Sequence, residues 1–252
     1  MAEKAILLLH GWAAHSGVFI RQIGVLKGEY EVICPDLYEI MSEISEDTFS
    51  LDDLVDTIAQ EIRDEGIKEL ILFGWSLGGC IAVRLYEKLK DITKGVILTG
   101  FSPSFIKADS NPHGMPAGEI DKLKTRIEQS LPEAIEEFVK LVMNGFVYTF
   151  HFEMIKELIL DEITDERKPL LLSSLDILKD NDFSDDVKAI AAKTLIIHGT
   201  QDKLCALQAV QDMAALIDDS ELKVLEDGSH IPFFTNSDEF NSIVQEFINS
   251  FD

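Results

Sequence analysis

Short runs of apolar residues, rich in Ile, Val and Leu, alternate along much of this chain with segments of helical periodicity. The apolar runs predict strands at 4–9, 30–34, 70–74, 95–99, 194–198 and 222–225. Runs this apolar favour strands that are buried on both faces of a parallel sheet. Helices are predicted near 51–65, 79–90, 206–217 and 238–249. The alternation is typical of an α/β, doubly wound domain.

The alternation stops in the middle of the chain. Between about residues 101 and 188 no strand-like run occurs; a turn-rich loop is followed by helical patterns near 118–130, 132–143, 147–160 and 166–178. We therefore predict that residues 1–100 and 189–252 form the α/β core and that residues 101–188 form a helical cap inserted between the fourth and fifth strands.

The pentapeptide Gly74-Trp75-Ser76-Leu77-Gly78 lies where the third predicted strand ends and a helix begins. A serine flanked by glycines in this context is the G-x-S-x-G nucleophile elbow. The tight turn strains the serine backbone and leaves no room for side chains at the glycine positions. It presents the Ser76 hydroxyl at a helix N-terminus, where negative charge is favoured.

A nucleophilic serine needs a base, and the base needs an acid to orient it. Two later strands are followed by the segments Gly199-Thr200-Gln201-Asp202 and Glu226-Asp227-Gly228-Ser229-His230. In this architecture the chain order is serine, acid, histidine, and the partners lie just past strand ends. We predict that Ser76 attacks, that His230 takes and returns its proton, and that Asp202 holds the imidazole tautomer.

Other candidates compete for these roles. For the acid, Asp176, Asp180 and Asp227 compete with Asp202, although Asp227 lies too close to His230 in sequence to reach its far nitrogen easily. Among the other histidines, we expect His10 to fix its loop and His198 to be a satisfied histidine at a strand end.

Two N–H donors are expected to stabilise the oxyanion. One is the backbone amide of Leu77, directly after the nucleophile. The other should come from the loop after the first strand, His10-Gly11-Trp12-Ala13, and we assign it to the amide of Trp12.

Charge, apolar run length and cysteine content limit the classes of protein to which the chain can belong. The chain has 252 residues and a net charge of -24, which disfavours binding to nucleic acid or to anionic membranes. No apolar run approaches the roughly 18 residues needed to span a bilayer. The three cysteines, Cys34, Cys80 and Cys205, are widely spaced and odd in number, which indicates reduced thiols in a cytoplasmic protein. No Cys/His cluster has metal-ligand spacing, and the predicted chemistry needs no cofactor.

These motifs resemble the α/β-hydrolase superfamily: LLLHGW, GWSLGG, HGTQDKL and DGSHIPF follow its order across nearly the whole chain. Within it, the chain most resembles the pimeloyl-[acyl-carrier-protein] methyl ester esterases of biotin synthesis. Shared features are the two tryptophans in these motifs, an SP dipeptide after the fourth strand and the segment DILKDNDF. By position, Ser76, Asp202 and His230 match that family's triad. Trp12 and Leu77 match its oxyanion amides, and Phe138 matches a cap aromatic at the substrate channel.

The chain departs from that pattern in three ways. The usual N-terminal β-hairpin is missing, so the sheet should have about six strands and expose a different edge. The usual glycine-rich D-x-x-G-x-G-x-S turn is replaced by DLYEIM at 36–41, so that loop must fold differently. The cap is acidic, with nine Lys and Arg against seventeen Asp and Glu in residues 101–185, which gives 9 − 17 = −8. Because acyl carrier proteins are themselves acidic, this charge disfavours a carrier-linked substrate.

Five aromatic residues stand close together in the cap sequence. They are expected to be mostly cap core, with one or two facing the site: Phe138, Phe146, Tyr148, Phe150 and Phe152.

The sequence thus predicts a cytoplasmic serine carboxylesterase with an α/β-hydrolase fold. Its substrate should be a small to medium, largely apolar ester bound between cap and sheet, and the resemblance implies a pimeloyl-carrier methyl ester as one candidate. The same triad also serves thioester hydrolysis, carbon–carbon bond hydrolysis and lyase steps, so these remain alternatives. A ligand receptor with weak or no turnover is an alternative of another class.

Overall fold

The computed structural model describes residues 3–28, 30–45, 48–108, 111–147, 149–160 and 163–251. Six strands form one parallel sheet: β1 (Lys4–Leu9), β2 (Glu31–Ile33), β3 (Glu69–Trp75), β4 (Thr93–Thr99), β5 (Lys193–Gly199) and β6 (Ser220–Leu225). All six predicted strands are confirmed, with ends that differ by no more than two residues.

Among the described residues the strand order is β2-β1-β3-β4-β5-β6, which confirms a sheet of six strands. The chain leaves β1 towards one edge, to β2, and leaves β3 towards the other, to β4. In open α/β sheets a crevice forms where the connections diverge in this way, outside the carboxyl ends of the strands. The loop after β1 and the turn after β3 therefore border the crevice.

Burial along the sheet follows strand position. Every residue from Ala5 to Leu9 in the central strand β1 is 0% exposed, because helices cover both faces. In the edge strand β6, Val224 is 40% exposed. Continuous apolar runs are thus typical of the strands that are buried in the middle of the sheet.

Helices complete the fold. Those of the first part of the chain are α1 (Ile20–Leu26), α2 (Leu37–Ile44), α3 (Leu51–Asp64) and α4 (Leu77–Leu89). Between β4 and β5 come α5 (Gly118–Gln129), α6 (Leu131–Val142), α7 (Phe150–Leu160), α8 (Lys168–Asp180) and α9 (Ser184–Lys188). The last three are α10 (Leu207–Ala214), α11 (Pro232–Thr235) and α12 (Ser237–Asn249). Short 3₁₀ turns cover Ser16–Phe19 and Asp165–Arg167.

All eight predicted helices are present, whereas α1, α2, α9 and α11 were not predicted. These four are at most eight residues long, too short to show a clear period. Between β4 and β5 the described residues contain no strand, only an isolated bridge between Ile106 and Met115. We call residues 101–185, which include α5 to α8, the cap; the predicted boundaries of core and cap stay a prediction.

The replaced turn after β2 folds as helix α2. Asp36 caps the helix, since its Oδ1 accepts a hydrogen bond of 2.9 Å from the Tyr38 amide. The residues that stand in place of that turn thus form a capped helix. None of the helices in the described ranges is long and apolar enough to cross a membrane.

Candidate active site

Ser76 lies between β3 and α4 with φ 54° and ψ -116°, in the left-handed half of backbone space. Such a conformation costs about 1–3 kcal/mol for a residue with a side chain. The flanking glycines are required by close approach: a Cβ on Gly78 would lie 2.0 Å from the Leu9 carbonyl oxygen, and one on Gly74 would lie 2.5 Å from the Gly78 oxygen. The structure therefore has the strained turn that the motif predicts.

His230 and Asp202 meet at the carboxyl ends of the last two strands. His230 Nδ1 lies 2.8 Å from Asp202 Oδ2, and the two side chains are 0% and 1% exposed. Asp202 Oδ1 accepts hydrogen bonds from the amides of Leu204 and Cys205, at 2.8 and 3.0 Å. Because a carboxylate only accepts, Nδ1 carries the imidazole proton and Nε2 keeps a lone pair. The arrangement makes His230 Nε2 available as a base.

The surroundings keep Asp202 ionised. Burial acts to raise the pKa of Asp202, but its contacts with His230 and the Cys205 amide outweigh burial and hold that pKa below its ordinary value. His198 donates from Nε2 to the Cys205 carbonyl at 3.1 Å, and its Nδ1 lies 3.8 Å from Asp202 Oδ2. Burial lowers the pKa of His198, which favours the neutral ring.

The expectation that His198 is satisfied is therefore only half right. Its Nδ1 is buried and has no hydrogen-bond partner in the described part of the chain, because the neutral ring presents a lone pair towards the Asp202 carboxylate.

No hydrogen bond joins the side chains of Ser76 and His230 in the described part of the chain. His230 Nε2 is buried and unpaired among the residues that the structure describes. Trp75, the residue before Ser76, donates from its indole nitrogen to the His230 carbonyl at 2.9 Å. A Cβ on Gly100, where φ is 56°, would lie 2.9 Å from His230 Cε1. The loop that contains His230 is thus bonded to Trp75 and packs against Gly100, which has no side chain.

The two predicted oxyanion amides flank this crevice. Leu77 is the first residue of α4, so its N–H has no acceptor within the helix. Trp12 lies in the loop after β1, and a Cβ on the preceding Gly11 would lie 3.2 Å from Ser76 Cβ. Neither amide donates to another group within the described ranges. Both N–H groups remain free for a substrate oxygen.

A cavity of about 410 Å³ opens at Ser76 beneath the cap. Trp12 and Phe138 form part of its wall, with ring centroids 4.7 Å apart and planes at 88°. Most other lining residues are apolar: Phe105, Met115, Pro116, Ile120, Leu123, Ala134, Leu141, Leu175, Leu178 and Leu204. Charged side chains also line it: Glu119, Lys122, Arg126, Glu137 and Lys203. The volume falls in the range of about 300–1,000 Å³ typical of small-molecule sites.

Of the five cap aromatics, Phe138 lines the cavity and Phe152 is 2% exposed, as expected for cap core. Phe150 is 75% exposed, so it is not core. Phe146 packs against the core, half-buried. Tyr148 lies outside the described residues.

The cap is hydrogen-bonded to three loops around the crevice. The Trp12 indole donates to the Leu171 carbonyl at 2.9 Å, and the His230 amide donates to the Val142 carbonyl at 3.2 Å. The Asn144 side chain donates to the carbonyl of Gln201, next to Asp202, at 3.1 Å. The cap thus contacts the loops that hold Trp12, Asp202 and His230.

The competing acids lie elsewhere. Asp176 pairs with Lys124, and Asp180 borders a second, polar hollow. Asp227 is exposed, and its amide donates to Thr200 Oγ1. Among the four candidates considered, Asp202 is the one whose carboxylate bonds to His230.

His10 fixes its loop, as expected. Its Nε2 accepts a hydrogen bond of 2.9 Å from the Leu37 amide, and its Nδ1 lies 3.0 Å from the Gly11 carbonyl. It therefore joins the loop after β1 to the start of α2.

One group of side chains has the composition of a metal site. The ligating atoms of Asp202, Cys205 and His230 lie within 4.8 Å of one another. Cys205 donates from Sγ to the Gly100 carbonyl at 3.3 Å, and burial, then the Asp202 carboxylate, raise the pKa of its thiol well above the ordinary value. A protonated thiol is a poor ligand, and Asp202 already bonds His230, so a hydrogen-bonded acid–histidine pair is the better interpretation. The sequence showed no metal-ligand spacing because the fold brings these residues together.

Sequence reasoning missed two residues that support the site. Trp75 was noted in the motif, but its bond to the His230 carbonyl spans 155 positions and leaves no local signal. Tyr38 accepts a hydrogen bond of 3.0 Å from the Ala13 amide, in the predicted oxyanion loop. Its one signal was the replacement of the glycine-rich turn.

Known proteins resemble this chain over nearly its whole length. The profile of the alpha/beta hydrolase family matches residues 6–243. A protein of Xylella fastidiosa (strain M23) named pimeloyl-[acyl-carrier protein] methyl ester esterase is 25% identical over 97% of this chain and 94% of its own length. The AB hydrolase superfamily protein YisY of Bacillus subtilis (strain 168) is 25% identical over 98% of this chain and 92% of its own.

Among solved structures, an esterase from Exiguobacterium antarcticum superposes with a TM-score of 0.84. It covers 98% of this chain and 92% of its own, at 23% identity. At that identity the similarity is one of fold.

Proposed function

This chain belongs to the alpha/beta hydrolase family, and from this premise we propose that it is a serine carboxylesterase. Ser76 attacks the ester carbonyl while His230 takes its proton, and the alcohol leaves with that proton. Water activated by His230 then releases the acid from the acyl-enzyme. Asp202 holds the tautomer that leaves Nε2 free, and the amides of Leu77 and Trp12 bind the oxyanion.

One observation carries this proposal: a buried Asp202–His230 hydrogen bond, 2.8 Å long, at the carboxyl edge of the sheet that also holds the strained Ser76 turn. The absence of a bond between Ser76 and His230 agrees with a free enzyme, because catalytic hydrogen bonds often tighten only when substrate binds. A receptor without turnover would have no need for a strained serine and a tautomer-fixing carboxylate.

The cavity supports a small to medium, largely apolar ester. Its wall at the nucleophile is the edge-to-face pair of Trp12 and Phe138, which suits an acyl chain better than a polar group. Relatives such as that of Xylella fastidiosa are named for an ester linked to a carrier protein. The charge of the cap argues for a free ester here.

Seven of the nine cap cations pair with a carboxylate among the described residues. The pairs are Lys122–Glu119, Lys124–Asp176, Arg126–Glu137, Lys140–Glu136, Lys156–Glu153, Lys179–Asp121 and Arg167–Asp36. An acidic carrier needs unneutralised cations in order to dock. We therefore propose that the substrate is not attached to an acyl carrier protein.

The test is hydrolysis of p-nitrophenyl esters of graded chain length by the purified protein. Wild type should turn over short and medium esters, and Ser76→Ala should reduce kcat by on the order of 10⁴-fold or more. Ser42→Ala, at an exposed serine of α2, is the matched control and should match wild type. The proposal would be contradicted if wild type hydrolysed none of these esters, or if Ser76→Ala left the hydrolysis unchanged.

A further inference from the structure

Tyr38 lies behind the predicted oxyanion loop and does not line the cavity. Its hydroxyl is buried, since the residue is 2% exposed. The Ala13 amide donates to that hydroxyl at 3.0 Å. Ala13 follows Trp12 and has φ 55°, so the loop holds a strained residue directly after the amide assigned to the oxyanion.

The hydrogen bonds continue from Tyr38 into the cap. Ser174 of α8 donates from Oγ to the Leu171 carbonyl at 3.0 Å, which uses its only proton. The contact of 3.4 Å between Tyr38 and Ser174 therefore runs from the phenol to the serine oxygen. The Leu171 carbonyl also accepts a hydrogen bond of 2.9 Å from the Trp12 indole. This series of hydrogen bonds therefore begins and ends in the oxyanion loop.

These four hydrogen bonds form a closed ring, which we call the Tyr38 ring: Ala13, Tyr38, Ser174, Leu171 and Trp12. Each of these residues except Leu171 and Ala13 contributes a side-chain group, and the Trp12–Ala13 peptide bond closes the ring. Ser174 is 0% exposed and Leu171 is 1% exposed, so water cannot replace a lost partner cheaply. Burial raises the pKa of Tyr38 to about 12, so the phenol keeps its proton.

Resting on the proposed function, we propose that Tyr38 is a positioning residue for the oxyanion hole and ties that hole to cap helix α8. The Tyr38 ring fixes both ends of the Trp12 residue, its indole and the peptide that follows it. The direction of the Trp12 amide is therefore set before substrate arrives. Helix α2 replaces the glycine-rich turn of the resembled family, and this replacement is what places a phenol at that point.

The probe is a fluorophosphonate, and the measured quantity is its second-order rate of reaction with Ser76. The Ser76 Oγ–phosphorus bond forms, the phosphorus–fluorine bond breaks, fluoride leaves and His230 takes the proton. The phosphoryl oxygen occupies the oxyanion hole, so the rate reports on the hole without requiring the natural ester. Tyr38→Phe should react about tenfold more slowly, a fraction of the 10²–10³ that loss of a whole donor costs.

Tyr86→Phe is the matched control. Tyr86 is also buried, at 5% exposure, and its hydroxyl accepts from the Ala191 and Ala192 amides at 3.0 and 3.2 Å. Removing it should lower the melting temperature as Tyr38→Phe does, while the phosphonylation rate stays that of wild type. With an ester substrate, Tyr38→Phe should lower kcat and leave KM unchanged, because the lost contact acts in the transition state.

A second variant guards against a folding defect. Ser174→Ala keeps the Ala13–Tyr38 bond and removes the far side of the Tyr38 ring, so it should slow phosphonylation less, by about threefold. Wild-type rates in both Tyr38→Phe and Ser174→Ala would overturn the inference. A wild-type protein that does not react with the fluorophosphonate would also overturn the inference, since it would have no functional oxyanion hole. Wild type that reacts with the probe yet hydrolyses no ester would refute the proposed function alone.

Discussion

The carboxyl edge of the sheet and the cap hold their polar groups in different ways. At the edge, the side chains of Asp202 and His230 are 1% and 0% exposed, and they bond each other. On the cap, Lys122 and Glu119 pair at 2.6 Å but are 64% and 50% exposed. Exposed pairs contribute about 0–1 kcal/mol, whereas a buried group that loses its partner costs more. Changes at the edge should therefore alter the chemistry, and changes on the cap should alter which ester is used.

The two regions are joined by a few buried contacts. Besides the Tyr38 ring, Arg167 of the cap donates to Asp36 Oδ2 at 3.1 Å, next to the start of α2. The His230 amide is bonded to the end of α6 through Val142. The cap thus supports the edge at loops that carry the proposed chemistry.

The largest effect should come from the edge. Asp202→Asn is expected to reduce kcat by about 10³–10⁴, because the amide can favour the wrong tautomer of His230. Steady-state kinetics on a p-nitrophenyl ester measure it. Asp227→Asn, three residues before His230 and exposed, is the control and should keep full activity. Equal losses in both variants would contradict the assignment of the acid.

The next largest effect concerns Asp36, where the carboxyl edge contacts the cap. It is measured as a change in the free energy of unfolding. Burial acts to raise the pKa of Asp36, but its neighbours, Arg167 and the Tyr38 amide among them, outweigh burial and bring that pKa to about 2, from an ordinary 3.8. A lowered folded-state pKa stabilises the protein above the unfolded pKa, and this stabilisation disappears as the pH falls through the folded pKa. Asp36→Asn should thus reduce the free energy of unfolding by about 2 kcal/mol at pH 7.

The deficit of Asp36→Asn should shrink as the pH falls from about 4 towards 2. Denaturant unfolding at a series of pH values measures it. Asp56→Asn, which removes an exposed pair with Lys88, is the control and should lose much less stability than Asp36→Asn. A deficit for Asp36→Asn that does not change with pH would show that the carboxylate charge is not responsible.

A smaller effect is expected from Phe138, a cap residue that lines the cavity. Phe138→Ala should lower kcat/KM about tenfold for medium-chain esters, which lose the apolar contact of a large side chain, and leave acetate esters nearly unchanged. Phe152→Ala is the control, because Phe152 is buried in α7 and does not line the cavity. It should lower stability without changing the chain-length profile. A uniform loss across chain lengths for Phe138→Ala would remove that residue from the substrate site.

The smallest expected effect lies on the cap surface. The methyl pimeloyl ester of an acyl carrier protein should have a severalfold lower kcat/KM than a free short ester, since like charges slow their association. Added salt should reduce the difference by screening. Equal or better turnover of the carrier-linked ester, falling steeply with salt, would mean that the cap does receive a carrier.

Much of the core could be predicted because its signals are local. The six strands are continuous apolar runs, and the turn at Ser76 is specified by two glycines within five residues. Asp202 and His230 follow strands directly, so the parallel sheet brings them to one edge. The short helices α1 and α2 were missed because at most eight residues give too little periodicity.

The sequence by itself determined the sheet, the strained serine and the residues proposed for acid and base, because each depends on neighbours within a few positions. Only the tertiary structure decided how they are supported. The bonds from Trp75 to His230, from Trp12 to Leu171 and from Tyr38 to Ser174 join residues 155, 159 and 136 positions apart. Such bonds have no counterpart in local backbone preference, since they arise when packing excludes water and each buried polar group must find a partner.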